Sequence, residues 1–152
     1  MNVAVPMSGG AVEVACLSMG NPHAVRFVDD VTAAPVASIG PEVERNALFP
    51  NGANVEFVHV TSPGRLEVRV WERGSGETRA CGTGACAAAV AARLLHGCGE
   101  NIDVVLPGGV LQVTWRGSLE DGRSVTMEGP ARRVFAGDVD LDATLPAETI
   151  GS

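Results

Sequence analysis

Cys81-Gly82-Thr83-Gly84-Ala85-Cys86-Ala87-Ala88-Ala89-Val90-Ala91-Ala92-Arg93-Leu94-Leu95-His96-Gly97 reads as a helix start, a helix body and a helix stop. Alanine and leucine, both strong helix formers, dominate from residue 83 to residue 96. Gly97 supplies the left-handed residue on which helices commonly end. Between Thr83 and Arg93 every side chain is small and apolar, so no face of this helix suits water. A helix apolar all round is buried. The rest of the fold must therefore be built to cover it.

The surrounding chain is organised as strands. Alternating or apolar runs predict strands over residues 12–17, 23–28, 54–61, 65–71, 102–106, 110–115, 124–128 and 132–135. Ser62-Pro63-Gly64 and Pro107-Gly108-Gly109 predict two hairpin turns. In residues 65–71 the pattern is clean: Leu66, Val68 and Val70 on one face, Arg65, Glu67 and Arg69 on the other. A second helix is expected over residues 34–46, interrupted by Pro35 and Pro41. The expected fold class is α+β: an antiparallel sheet wrapped around one buried central helix, as a single domain over residues 1–152.

Composition narrows the function. The chain has 152 residues, 45% hydrophobic, enough for one globular core. Its net charge of −7 leaves no basic stripe for phosphates, which argues against nucleic acid. No run approaches the roughly 20 apolar residues of a membrane span, and residues 1–6 lack the features of a signal peptide. Four cysteines without a C-x-x-C pair, and three histidines without ligand spacing to them, suit neither a disulfide scaffold nor a zinc site. The expected setting is a reduced, cytoplasmic one.

Cys81 stands at the start of the buried helix, where unpaired N–H groups favour anions. That location is expected to lower the thiol pKa, and the Gly82-Thr83-Gly84 backbone can hold a substrate carboxylate. A thiolate beside a bound carboxylate suits proton transfer at the adjacent carbon. Three other stretches read as site material. Gly20-Asn21-Pro22-His23 is a tight turn entering a strand. Asn54 opens a strand after Pro50-Asn51-Gly52-Ala53. Glu72-Arg73 closes another; alone it is a solvated pair, but Arg can grip a carboxylate bidentately while Glu takes an ammonium.

Together these stretches resemble the C-terminal half of the diaminopimelate epimerase family. The matching pieces are Gly20-Asn21-Pro22-His23, Phe49-Pro50 through Asn54, Glu72-Arg73-Gly74 with Gly76-Glu77-Thr78, Ala80-Cys81-Gly82-Thr83-Gly84-Ala85-Cys86-Ala87, Leu106-Pro107-Gly108-Gly109 and Gly129-Pro130-Ala131. The resemblance implies a cofactor-independent epimerase that interconverts LL- and meso-diaminopimelate in lysine and peptidoglycan precursor synthesis. Two cysteines act from opposite faces of the α-carbon, one as base and one as acid. Cys81 takes one of these roles. The resemblance also implies that Asn21, Asn54, Glu72 and Arg73 hold the distal end of the substrate. Gly82 and Thr83 then bind the reacting carboxylate, and His23 and Glu72 tune cysteine protonation.

One departure is large. The family's enzymes are about twice this length and carry a second cysteine in an N-terminal half with its own Cys-Gly-Asn-Gly motif, which does not occur here. Cys16, Cys86 and Cys98 have no glycine-lined anion site. The expectation is a C-terminal half, as an isolated domain, a truncated gene product or a processed fragment, inactive without its N-terminal half. The expected partners are a small-molecule substrate and that half; a homodimer is compatible with the sequence. Two other readings stay open. A racemase of the proline racemase type would share the Cys-Gly-Thr-Gly element, but proline has no second charged end for Asn54, Glu72 and Arg73. A non-catalytic amino-acid-binding domain would explain the missing second cysteine.

Overall fold

The computed structural model describes residues 2–118, 120–138 and 140. Its elements are β1 (Asn2–Met7), β2 (Gly10–Ser18), β3 (Pro22–Phe27), α1 (Val36–Glu44), β4 (Asn54–Ser62), β5 (Arg65–Glu72), β6 (Gly76–Thr78), α2 (Gly82–His96), β7 (Asn101–Leu106), β8 (Gly109–Thr114) and β9 (Thr126–Glu128). The strands form one sheet in the order β1-β2-β3-β4-β5-β7-β8-β9, with β6 paired to β5 off this path.

The sheet is mixed, which corrects the expectation of an antiparallel one. β3 runs parallel to β4 and β5 runs parallel to β7; the other pairings are antiparallel. Both parallel pairs have one cause. α1 connects β3 to β4, and α2 lies between β5 and β7. A helix returns the chain to the end where the previous strand began, and the next strand then runs in the same direction.

The pleat of the sheet separates two cores. Ala15, Val25, Val58, Leu66, Val68, Val70, Ile102, Val104 and Val113 face the alanines of α2. Val14, Ala24, Val55 and Phe57, one residue out of phase, face Val36 and Val43 of α1. Ala85, Ala87, Ala88 and Ala92 are fully buried, and α2 touches strands from β2 to β9. Small side chains let the helix pack closely on the sheet from Gly84 to Ala92. Gly97 ends α2 in the left-handed conformation at φ 65°, and Arg93 and His96 place basic groups at its negative end. No helix among the described residues is long and apolar enough to cross a membrane.

Three segments differ from the sequence reading. β1 is a strand although Pro6 lies within it. It is an edge strand paired only to β2, and an edge tolerates a missing N–H. β6 is three residues long, too short for alternation to register. Residues 132–135 form no strand, and Val134 and Phe135 are exposed. β9 already occupies the outer edge of β8, and the following Pro130 has no N–H to extend a ladder. The helix expected over residues 34–46 is shorter, and Pro41 is accommodated inside it.

The fit of α2 against the sheet makes a direct prediction. Ala88→Leu inserts three carbons into a filled core and should lower stability by about 1–3 kcal/mol. Leu94→Ala, on the half-exposed side of the same helix, should change it by no more than about 0.5 kcal/mol. Urea denaturation of both variants checks this; equal effects would mean that the helix is not held at this spacing.

Candidate active site

Cys81 is the N-cap residue of α2. Its backbone is extended (φ −136°, ψ 114°), and its Sγ accepts a hydrogen bond from the Gly84 N–H at 3.4 Å. The Thr83 hydroxyl lies 3.6 Å from the same sulfur. Sulfur thus takes the place of the oxygen that usually caps a helix. Gly84 is required by proximity: a Cβ there would stand 2.9 Å from Glu56 Oε1 and 3.2 Å from Cys81 Sγ. A Cβ on Gly82 would stand 3.1 Å from the end of the exposed Met127 side chain, which has room to shift.

The expectation of a lowered thiol pKa is overturned. Burial pushes the Cys81 thiol up, and the nearby Glu72 and Glu56 carboxylates push in the same direction. Thr83 and the Gly84 N–H pull it down without reversing the balance. A helix N-terminus favours a thiolate only as far as its donors outweigh lost hydration and like charge. Cys86, further down α2, is also raised, by burial and by Cys81. Cys16 and Cys98 are raised mainly by burial, and all four cysteines are free thiols.

His23 leaves the Gly20-Asn21-Pro22 turn on β3 and is fully buried. Its Nδ1 lies 2.7 Å from Glu56 Oε1 and its Nε2 lies 3.0 Å from Asn21 Oδ1. The Asn21 amide in turn donates to Thr83 Oγ1 at 3.4 Å. Asn21, His23, Thr83 and Cys81 are therefore joined through side chains from the turn, the sheet and the helix start.

Asn54 lies beside His23 as its partner on the neighbouring parallel strand. It is buried and used at both ends: its amide donates to the Pro22 carbonyl at 3.5 Å, and its Oδ1 accepts the Arg73 N–H at 2.9 Å. The Arg73 guanidinium donates to the Asn51 carbonyl at 2.7 Å, and its stem lies over Gly52. The Thr78 hydroxyl donates to Glu72. The structure thus forms one group around the sulfur and a second, Asn54 with Arg73, linked through the His23–Asn54 strand pairing. Glu72 is near enough for its charge to act on the sulfur. Among the described residues no three His, Cys, Asp or Glu side chains are grouped to hold a metal ion.

Glu56 is the residue that sequence reasoning passed over. It is fully buried, and burial holds its carboxyl above the ordinary carboxylate range against the pull of His23. The signal for it was its setting: residues 54–58 of β4 are buried on both faces, and Glu56 shares with Asn54 and Val58 the face turned to α2. A glutamate in that phase is committed to the interior.

The model of the family described as diaminopimelate epimerase matches residues 15–134. A diaminopimelate epimerase of Halorhodospira halophila is 52% identical over 144 residues, covering 95% of this chain and 49% of that protein. One of Leptothrix cholodnii is 53% identical over 134 residues, covering 88% of this chain and 44% of that protein. The chain spans about half the length of the curated relatives it matches. Among solved structures, a probable proline racemase from Agrobacterium radiobacter K84 superposes with a TM-score of 0.57 at 17% identity, over 84% of this chain and 44% of that one. A hydroxyproline epimerase from Agrobacterium vitis gives 0.55 at 19% identity, over 84% and 43%. At these identities the likeness is one of fold.

The opposing influences on the sulfur can be separated by alkylation. Thr83→Val removes a donor to a thiolate, worth about 1.5 kcal/mol, so iodoacetamide labelling of Cys81 below its titration midpoint should slow on the order of tenfold. Glu72→Gln removes a like charge, so the midpoint should move to lower pH and labelling at fixed pH should accelerate. Mass spectrometry of the Cys81 peptide reads both; changes of the same sign would refute the electrostatic account.

Proposed function

Because this chain belongs to the diaminopimelate epimerase family, we propose that it is the C-terminal half of an enzyme interconverting LL- and meso-diaminopimelate. The observation that carries this reading is Cys81 itself, a buried thiol that caps a helix and is followed by Gly82 and Gly84, whose backbone can approach a substrate carboxylate. Under this reading Cys81 is one of two cysteines that act on opposite faces of the α-carbon. One takes the proton as thiolate while the other delivers one as thiol. The α-carboxylate is held by the backbone at Gly82 and by Thr83, where the first N–H groups of α2 are without helical partners.

Asn21, Asn54, Glu72 and Arg73 hold the far end, an ammonium and a carboxylate. The bond between Asn54 and the Arg73 backbone supports this, because it fixes the segment that presents the guanidinium. His23 and Glu72 set the protonation of the sulfur. The sheet curves about α2, a reading supported by the contacts of α2 with strands from β2 to β9. The second cysteine and the opposite wall belong to an N-terminal half. Identity near 50% to diaminopimelate epimerases supports this substrate over a proline-type one.

The 152-residue chain alone should not convert LL- to meso-diaminopimelate, because inversion needs an acid and a base on opposite faces in a site closed to water. Adding the N-terminal half, in trans or by fusion, should restore turnover. Isomer ratio and deuterium incorporation in heavy water measure this; robust conversion by the isolated chain would refute it. In the reassembled enzyme, Arg73→Lys should lower kcat/KM by about tenfold or more, since a point charge cannot replace a bidentate fork.

A further inference from the structure

Glu56 and His23 are both fully buried and lie 2.7 Å apart, a distance that requires a proton between them. Glu56 Oε2 is buried with no hydrogen-bond partner among the described residues. A lone carboxylate with one bare oxygen is costly to bury, whereas a pair that holds two protons, one in the shared bond and one on Nε2, is neutral overall. The direction of the Glu56 carboxyl, held up by burial, agrees with a retained proton.

The position of that proton decides what lies beyond. With the proton between Glu56 and Nδ1, a neutral pair has its second proton on Nε2. Nε2–H then donates to Asn21 Oδ1 at 3.0 Å. Asn21, with its oxygen engaged, turns its amide to Thr83 Oγ1 at 3.4 Å. Thr83, having accepted, has its own O–H left to donate to Cys81 Sγ at 3.6 Å. Every donor in this series points toward the sulfur. If Nε2 carried a lone pair instead, Asn21 would flip, Thr83 would donate to Asn21, and the sulfur would have to donate to Thr83.

We propose that Glu56 is a positioning residue for the reaction at Cys81: by holding His23 as an Nε2–H donor it fixes the direction of the hydrogen-bond series through Asn21 and Thr83 to the sulfur. This rests on the functional reading above for its purpose, but not for its geometry. Glu56 touches neither the sulfur nor a substrate; it acts through His23. The close approach of Gly84 holds the arrangement in place, since a side chain there would displace Glu56 Oε1.

Long-range proton–nitrogen NMR of the histidine rings in the 152-residue chain tests it. His23 is assigned by difference from His59→Gln and His96→Gln variants. The wild type should show His23 Nε2 protonated. In Glu56→Met, which fills the space but offers no partner, His23 should populate both tautomers, and alkylation of Cys81 by iodoacetamide should slow about tenfold. Glu56→Gln loses the same charge but can still donate to Nδ1, and should keep Nε2–H and react within about threefold of wild type. Wild-type His23 with an Nε2 lone pair overturns the proposal, and so does a Gln variant no better than the Met variant. If the Met variant does not fold, the wild-type and Gln spectra decide. In the enzyme reassembled with its N-terminal half, kcat should follow the same order. A reassembled wild type without turnover would count against the functional reading, while the spectra would still decide the role of Glu56.

Discussion

The amino end of α2 lies closer to β4 than a side chain at residue 84 would permit. A Cβ on Gly84 would meet Glu56 on one side and the sulfur of Cys81 on the other, at 2.9 and 3.2 Å. This one approach brings three elements together. It seats the capping sulfur over its own N–H donors, it closes the space above the buried His23–Glu56 pair, and it sets how deeply the alanine face of the helix beds into the sheet. Ala85, Ala88 and Ala92 continue the same close packing away from the site. The core that holds the fold and the arrangement that holds the thiol are one continuous surface.

That arrangement explains how charged groups survive inside a small α+β domain. Each of His23 and Glu56 would be expensive to bury alone. Paired, they carry no net charge, and the Asn21 carbonyl satisfies the remaining ring nitrogen. The pair adds little to stability compared with an apolar core of the same volume. Its value is orientation: two buried, mutually bonded side chains have few alternative rotamers, so the half-buried Asn21 that follows them in the series is held by groups with little freedom.

Much of this was legible before any coordinates. The run of small apolar residues from Gly84 to Ala92 forced a buried helix, Gly97 its end, and strict alternation in residues 65–71 a strand with one face inward. Cys81, Thr83, Asn21 and His23 do come together, and Asn54 bonds Arg73. What was not legible depends on relations between segments. Parallel pairing follows from helices intervening between strands, which alternation within a strand does not report. β1 was hidden by Pro6, which only an edge position tolerates. The segment over residues 132–135 has strand-like residues but no neighbour to pair with. Glu56 was obscured because a lone charge in an apolar strand reads as a solvent-facing residue, and only the helices packed on both faces of β4 leave it no water.

The raised thiol pKa first looks like an obstacle to acid–base work at a helix N-terminus, yet the two influences on Cys81 act at different moments. Burial, with the Glu72 carboxylate, favours the proton on the sulfur at rest. A two-cysteine epimerisation needs one partner in that state, as the acid. In the epimerase proposed above, a Cys81 thiol that delivers its proton leaves an anion facing the Gly84 N–H and, through Thr83, the series of donors that begins at Glu56. Donors fixed in advance stabilise such a charge without reorganising when it forms. Dehydration thus holds the proton on the sulfur, while the oriented donors lower the cost of releasing it, the two demands on a group that gives and retakes a proton in each turnover.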